Sequence, residues 1–331
     1  MNSITVKAPA KVNIFLKVLS KRKDSYHNIL TIFERISLAD TIRISKIPKG
    51  IIVKSDKPIT LDAKDNFCFK AAEAVLRRGR VRSGVKIDIK KRIPVASGLG
   101  GGSSDAAAVS RGMNKLFCLK LSDKALLNIA KELGADVPFF MLDTAFAVGK
   151  GRGDELKVIR SRSRFWHLII KAGSKTATKD IYGAFDASIN SALNPELVDG
   201  STLLTIDPER SRRVEGFDSE PAGTPKRLTL RRGDVRMFSP SKLRMDYAQA
   251  ESMLYNDLER AVSLKKGVIS RVLKSLAQLL GKKMIVSGSG PSLFCLYRTR
   301  REAIKARGLV LKSVPERKRP DWQIFVVKTQ H

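Results

Sequence analysis

Four glycines and three serines crowd the eight residues Ser97–Ser104, inside the run Pro94-Val95-Ala96-Ser97-Gly98-Leu99-Gly100-Gly101-Gly102-Ser103-Ser104-Asp105 that leads into an alanine-rich stretch. Glycine permits positive φ and lets a ligand approach the backbone closely. A helix that opens directly afterwards offers unpaired N–H groups and the positive end of its dipole. Such a stretch is suited to holding phosphate, with the hydroxyls of Ser103 and Ser104 as added donors or metal ligands. It is not a P-loop of the Gly-Lys-Ser/Thr type, because no lysine follows the glycines. Other residues could take part in the same chemistry. Asp136 could orient or deprotonate a hydroxyl, or it could cap the helix that begins near Pro138. Lys11 lies in an alternating strand on the same parity as Asn13 and Phe15, where a lone lysine reads as a solvated surface residue. Tyr26-His27 pairs a flat ring with a ring that hydrogen-bonds on two sides.

These residues need elements to position them. The first hundred residues predict strands at Ile4–Val6, Val12–Leu19, Ile29–Ile36, Thr41–Ile44 and Val85–Ile89, from period-two alternation. A helix is predicted over Asn66–Arg78. A second runs from the glycine loop to Leu116, and a third lies between the N-cap Ser122 and Gly134. A turn is expected at 149–154. Beyond it come a strand at Phe165–Lys171, a helix near Lys179–Phe185, and helices at Tyr247–Ser263 and Val268–Leu280. Strands at Lys283–Val286 and Ser292–Tyr297, a helix at Arg300–Arg307 and a strand at Gln323–Lys328 complete the pattern. Residues 190–245 are rich in Pro, Gly, Ser and Arg and read as a long surface excursion.

At 331 residues the chain can bury two cores. Its three cysteines are scattered without a CxxC, which argues against a disulfide framework or zinc site. No apolar run reaches membrane-spanning length, the start lacks a secretion pattern, and a cytoplasmic protein is expected. The formal net charge of +31 is unusual. It fits either polyanionic partners or a basic solvated surface.

Four motifs together resemble the GHMP kinases, the family of galactokinase and the homoserine, mevalonate and phosphomevalonate kinases. They are Ala8-Pro9-Ala10-Lys11-Val12-Asn13-Ile14-Phe15-Leu16, Asp24-Ser25-Tyr26-His27-Asn28-Ile29, Leu133-Gly134-Ala135-Asp136-Val137-Pro138-Phe139-Phe140 and Ser287-Gly288-Ser289-Gly290-Pro291-Ser292-Leu293-Phe294, alongside the glycine loop. Within the family the likeness is to members that use ATP to phosphorylate the 2-hydroxyl of a cytidine diphosphate-linked methylerythritol, in the non-mevalonate route to isoprenoids. A homoserine- or mevalonate-type kinase is the nearest alternative, and a basic nucleic-acid-binding protein on a kinase-like core a more distant one. The resemblance implies an α+β, two-domain GHMP kinase fold. A ribosomal-protein-S5-like ATP-binding domain would occupy 1–155 and a ferredoxin-like domain 156–331, with the site between them. It implies Lys11 and Asp136 as the catalytic pair. It places ATP on Pro94–Ser104, with Asn66 and Lys91 nearby, and substrate on Asn13, Tyr26, His27, Tyr182, Gly288 and Gly290. Tyr26 and Tyr182 would stack on the two faces of the cytosine while His27 reads its edge. The implied cofactors are ATP and Mg²⁺, the ion carried by ATP with Ser104 as a candidate protein ligand. Small molecules are the expected partners, without a membrane or a sequence-specific nucleic acid. Two departures stand out: Ser25 occupies a position usually held by glycine, and Pro291 one usually held by alanine.

Overall fold

The computed structural model describes residues 1–59, 63–174, 177–193, 238–265, 267–319 and 321–331. Of the five strands expected in the first hundred residues, the first four fuse into two long ones, β1 (Ser3–Lys21) and β2 (His27–Ile47), paired antiparallel. They continue through what looked like breaks because the register shifts at Pro9/Ala10, Asn13/Phe15 and Val18/Ser20. Each such bulge turns the strand over, so alternation restarts in the opposite phase. Then come β3 (Ile51–Ser55), α1 (Phe67–Arg78), β4 (Gly84–Lys90), α2 (Gly101–Leu116), α3 (Asp123–Leu133), α4 (Val137–Met141), β5 (Phe146–Lys150) and β6 (Glu155–Ile159). The remainder comprises β7 (Trp166–Lys171), α5 (Thr178–Leu193), α6 (Tyr247–Ser252), β8 (Tyr255–Asn256), α7 (Glu259–Lys265), α8 (Gly267–Leu280), β9 (Ile285–Val286), β10 (Ser292–Tyr297), α9 (Arg300–Ser313) and β11 (Gln323–Lys328).

Among the described residues these form two sheets. The first has the order β3-β4-β2-β1-β8, with β5 on β2 and β6 on β5; the second is antiparallel in the order β11-β7-β10-β9. One face of the first sheet packs Ile42, Ile44, Val85 and Ile87 against Ala107, Met113 and Phe139 of α2 and α4. Past the Pro9/Ala10 bulge, Ala10, Val12 and Ile14 point the other way, into a core shared with Ile169, Phe294 and Leu296 of the second sheet. Alternate residues of β7 serve the two sides: Ile169 joins that shared core, while Leu168 and Ile170 pack with α5, α7, α8 and α9. The result is an α+β arrangement of two sheets back to back, each with its own outer helices.

Several expectations are corrected. The predicted helix Tyr247–Ser263 is broken: α6 ends at Ser252, and β8 pairs parallel with Phe15 and Leu16 before α7 begins. The cause is Asn256, whose buried side chain turns the chain by accepting from Leu258 N at 2.9 Å. Phe15 does not share the face of Lys11 and Asn13, because the Asn13/Phe15 bulge sends it into the shared core beside Ile14. Gly134 closes α3 in an extended conformation (φ 165°), not a left-handed one. The turn at 149–154 links β5 to β6, two strands that the sequence pattern did not predict. β6 belongs to the first sheet, which therefore extends beyond residue 155. Most of the excursion at 190–245, residues 194–237, lies outside the described residues. Its ends are not surface loop: α5 continues to Leu193, and Phe238, Leu243 and Met245 are buried in the shared core.

Candidate active site

Two glycine loops, 190 residues apart, lock together backbone to backbone. A Cβ added at Gly290 would lie 2.2 Å from Gly98 N, and one at Gly98 would lie 2.2 Å from Ser287 O. No side chain fits in either place, so the spacing of the loops depends on glycine. Ser287 Oγ donates to Gly98 O at 3.2 Å across the junction. Asn256 steadies the second loop by donating from Nδ2 to the carbonyls of Val286 and Gly288, each at 2.8 Å. Sequence reasoning missed Asn256 because nothing near it in the chain suggests that role.

The first loop turns through positive φ at Ala96 (56°), Gly98 (81°) and Gly100 (70°) and then enters α2. Pro94 is buried and Val95 is exposed, while Ser97 Oγ ties the loop by donating to Pro94 O at 2.7 Å. Leu99 is buried as an anchor, and its carbonyl accepts from Lys11 N at 3.0 Å. The N-cap of α2 is Gly100, and no side chain caps the helix. The N–H groups from Gly101 to Ser103 therefore face outward without a side-chain partner, the arrangement that binds an anion. Side chains close the floor, since a Cβ on Gly101 or Gly102 would press on Ile93 or the Phe67 ring. Ser104 Oγ is buried with no hydrogen-bond partner.

Lys91 reaches the loop from its strand end: a Cβ added at Gly101 would lie 3.4 Å from its Nζ. Its ammonium is buried there, bonded to Asp40 at 2.5 Å and Asp105 at 2.7 Å. Burial pulls Lys91 down, but the two carboxylates outweigh it and hold its pKa above the usual lysine value. Burial pushes the Asp105 carboxyl up to about 7. Asp40 also accepts from the N–H groups of Arg92 and Ile93, so the triad fixes the chain entering the glycine loop. Asn66 is likewise occupied: its Oδ1 caps α1 by accepting from Cys68 N at 2.8 Å.

Lys11 and Asp136 meet where the loops join. Lys11 Nζ lies 3.3 Å from Asp136 Oδ2 and donates to Asn13 Oδ1 at 2.6 Å. Asn13 in turn donates to Thr31 Oγ1 at 2.8 Å, and Thr31 donates to Phe15 O at 2.7 Å. This chain of bonds holds the lysine from behind. The Lys11 side chain is only 4% exposed, whereas Asp136 is 36% exposed and open to an incoming group. Asp136 stands at the N-cap of α4 but makes no side-chain capping bond, so its carboxylate is not used by the helix. Gly288 sits against the pair: a Cβ there would be 3.3 Å from Asn13 Oδ1 and 3.6 Å from Lys11 Nζ.

The aromatic set lies alongside. His27 and Tyr182 stack on each other, centroids 4.8 Å apart and planes at 21°. His27 Nε2 is held by Asp186 Oδ1 at 2.8 Å, and Asp186 also binds Lys21. One face of Tyr182 is therefore taken by His27. Burial, then the charges of Asp136 and Asp257, raise the pKa of the Tyr182 phenol, which places the ring in the field of Asp136. Tyr26 is half exposed, with the Arg152 guanidinium 5.2 Å from its ring centre. Ser25 adopts the left-handed φ of 65° that its glycine-like position requires.

The GHMP kinases N terminal domain matches residues 66–144. The 4-diphosphocytidyl-2-C-methyl-D-erythritol kinase of Acetivibrio thermocellus is 33% identical over 330 residues, covering 99% of this chain and all of the relative. That of Desulfotalea psychrophila is 35% identical over 298 residues, 88% of this chain and 85% of its own. A crystal structure of 4-(cytidine 5'-diphospho)-2C-methyl-D-erythritol kinase aligns with a TM-score of 0.68 at 25% identity, covering 99% of this chain and 100% of that one.

Proposed function

Since the chain belongs to the 4-diphosphocytidyl-2-C-methyl-D-erythritol kinases, a branch of the GHMP kinases, we propose that the junction of its two glycine loops is where ATP phosphorylates the 2-hydroxyl of that cytidine-bearing alcohol. The observation that carries this assignment is the Lys11–Asp136 pair set at the loop junction. Phosphoryl transfer asks chiefly for an oriented nucleophile and charge stabilisation. Asp136 orients the 2-hydroxyl and receives its proton as the bond to phosphorus forms. Lys11 has one donor on Asn13 and one toward Asp136, which leaves a third for the transferred phosphoryl. The uncapped N–H groups of α2 hold the ATP phosphates.

Magnesium would add charge neutralisation between the phosphates. The buried, unpartnered Ser104 Oγ suits a hard cation that keeps most of its ligands from phosphate and water. Asn66 and Lys91 contribute to nucleotide binding by shaping the loop's approach. Cytosine stacks on the open Tyr26, with His27 and Tyr182 at its edge. Because Asp186 takes the Nε2 side of His27, the Nδ1 side is the one left to read the cytosine edge. We place the domain boundary after Ile159, where the first sheet ends.

The test is incubation with Mg-ATP and the cytidine substrate, followed by mass analysis for the 2-phosphate. Turnover of homoserine or mevalonate without the cytidine compound would overturn the assignment.

A further inference from the structure

The outer face of the first sheet changes character at the Pro9/Ala10 bulge. On one side of it, Ala10, Val12 and Ile14 are covered by the second sheet. On the other side, among the described residues, no element covers the face, and its register can be read as three rows. Ser3, Ser45, Lys86 and Ile52 form one row; Thr5, Arg43, Asp88 and Lys54 the next; Lys7, Thr41 and Lys90 the third. Their neighbours Ile42, Ile44, Ile87 and Ile89 point into the helix-side core, so these eleven side chains all face outward. Thr5, Lys7, Arg43, Ile52, Lys54 and Lys90 are exposed. The face holds five cations against one carboxylate, Asp88, which is paired with Lys86 at 3.2 Å.

We propose that this open half-sheet is a binding face for duplex nucleic acid, held by its phosphate backbone. Charge complementarity selects a polyanion, and the side chains select its kind. The rows contain no aromatic ring, so they offer no platform for unstacked bases of a single strand. Ile52 is their one large apolar side chain, too little to insert into a bilayer. The hydroxyls of Ser3, Thr5, Thr41 and Ser45 add the neutral donors that commonly accompany Lys and Arg on phosphates. Four strands at about 4.8 Å spacing make a surface about 14 Å wide, comparable with the roughly 12 Å major groove of a B-form duplex, so cations on outer strands can meet phosphates on both of its sides. None of these eleven residues belongs to a glycine loop, and their side chains are on the sheet face opposite α2, so binding there leaves the kinase reaction intact.

The test is fluorescence anisotropy of a short labelled duplex with the full-length protein, over a salt series and in saturating Mg-ATP. The quadruple variant Lys7→Gln/Arg43→Gln/Lys54→Gln/Lys90→Gln is compared with a control, Arg301→Gln/Lys305→Gln/Arg307→Gln/Lys312→Gln on α9. The face variant is expected to lose at least about tenfold in affinity and to flatten the log–log salt slope by roughly 3 to 4, one phosphate contact per cation. It should keep wild-type kinase turnover, while the α9 control binds the duplex as wild type does. Equal losses in both variants, displacement of the duplex by Mg-ATP, or tighter binding to anionic phosphatidylserine vesicles than to duplex would each overturn the proposal.

Discussion

Lys11 and Asp136 are 125 residues apart in the chain and 3.3 Å apart in space, and their exposures suit different tasks. In the proposed reaction the buried ammonium and the reachable carboxylate would act on the reacting oxygens more than on bound ATP. Asp136→Asn and Lys11→Met should therefore lower kcat by on the order of 10²-fold or more while nucleotide affinity, read by calorimetry, stays near wild type. Tyr26 is exposed and supports no core, so Tyr26→Ala should raise KM for the cytidine substrate several-fold and leave KM for ATP unchanged. Equal changes in both constants would remove its stacking role. Asp105 yields a pH prediction. Its folded pKa, about 7, lies above the ordinary 3.8, so the folded chain holds the extra proton between those values. Stability contributed by this carboxyl therefore falls as pH rises from about 4 to 7. Asp105→Asn cannot ionise and should show a flatter fall over that window in urea titrations.

The loops and helices that carry these residues depend on glycine in unequal ways. At Gly290 an added methyl would meet backbone at 2.2 and 2.3 Å, which cannot be relieved by a rotamer change. Gly290→Ala should push the two loops apart and reduce kcat/KM for ATP by at least about tenfold while the chain still folds. Gly308, inside α9, has nothing within 4 Å of its missing Cβ and no positive φ. Gly308→Ala should instead raise stability by about 0.5–1 kcal/mol, seen as a higher Tm with unchanged turnover. A neutral Gly290→Ala would show that the junction is looser than its contacts indicate.

Across the whole molecule, the core shared by the two sheets sets the relation between the first glycine loop, anchored in it by Leu99, and the second, reached through Ile285. Phe238 enters that core from the end of the basic excursion, is 4% exposed, and packs 4.5 Å from the Phe15 ring. Phe238→Ala should cost about 3–5 kcal/mol in chemical denaturation. A small loss would mean that the segment rests on the core without completing it. A buried bond between His167 of the second sheet and Glu34 of the first, at 2.9 Å, links the same two layers. Thr329 supports it by donating to Glu34 at 2.8 Å.

Much of this was legible in the chain because the chemistry is local. The glycine loop, its helix, the N-caps Asn66 and Ser122 and the strand centres are each set by residues a few positions apart. The family motifs named Lys11, Asp136 and the aromatic set before any geometry was known. The tertiary structure decided what depends on distant partners. The bulges in β1 show in no periodicity, yet they put Lys11 and Asn13 on the site face and Phe15 in the core. Lys91 reads as a charged strand end until Asp40 and Asp105 fold around it. Asn256 and Phe238 carry no local signal at all, because a hydrogen bond to a loop 30 residues away and a place in a shared core exist only once the sheets have packed.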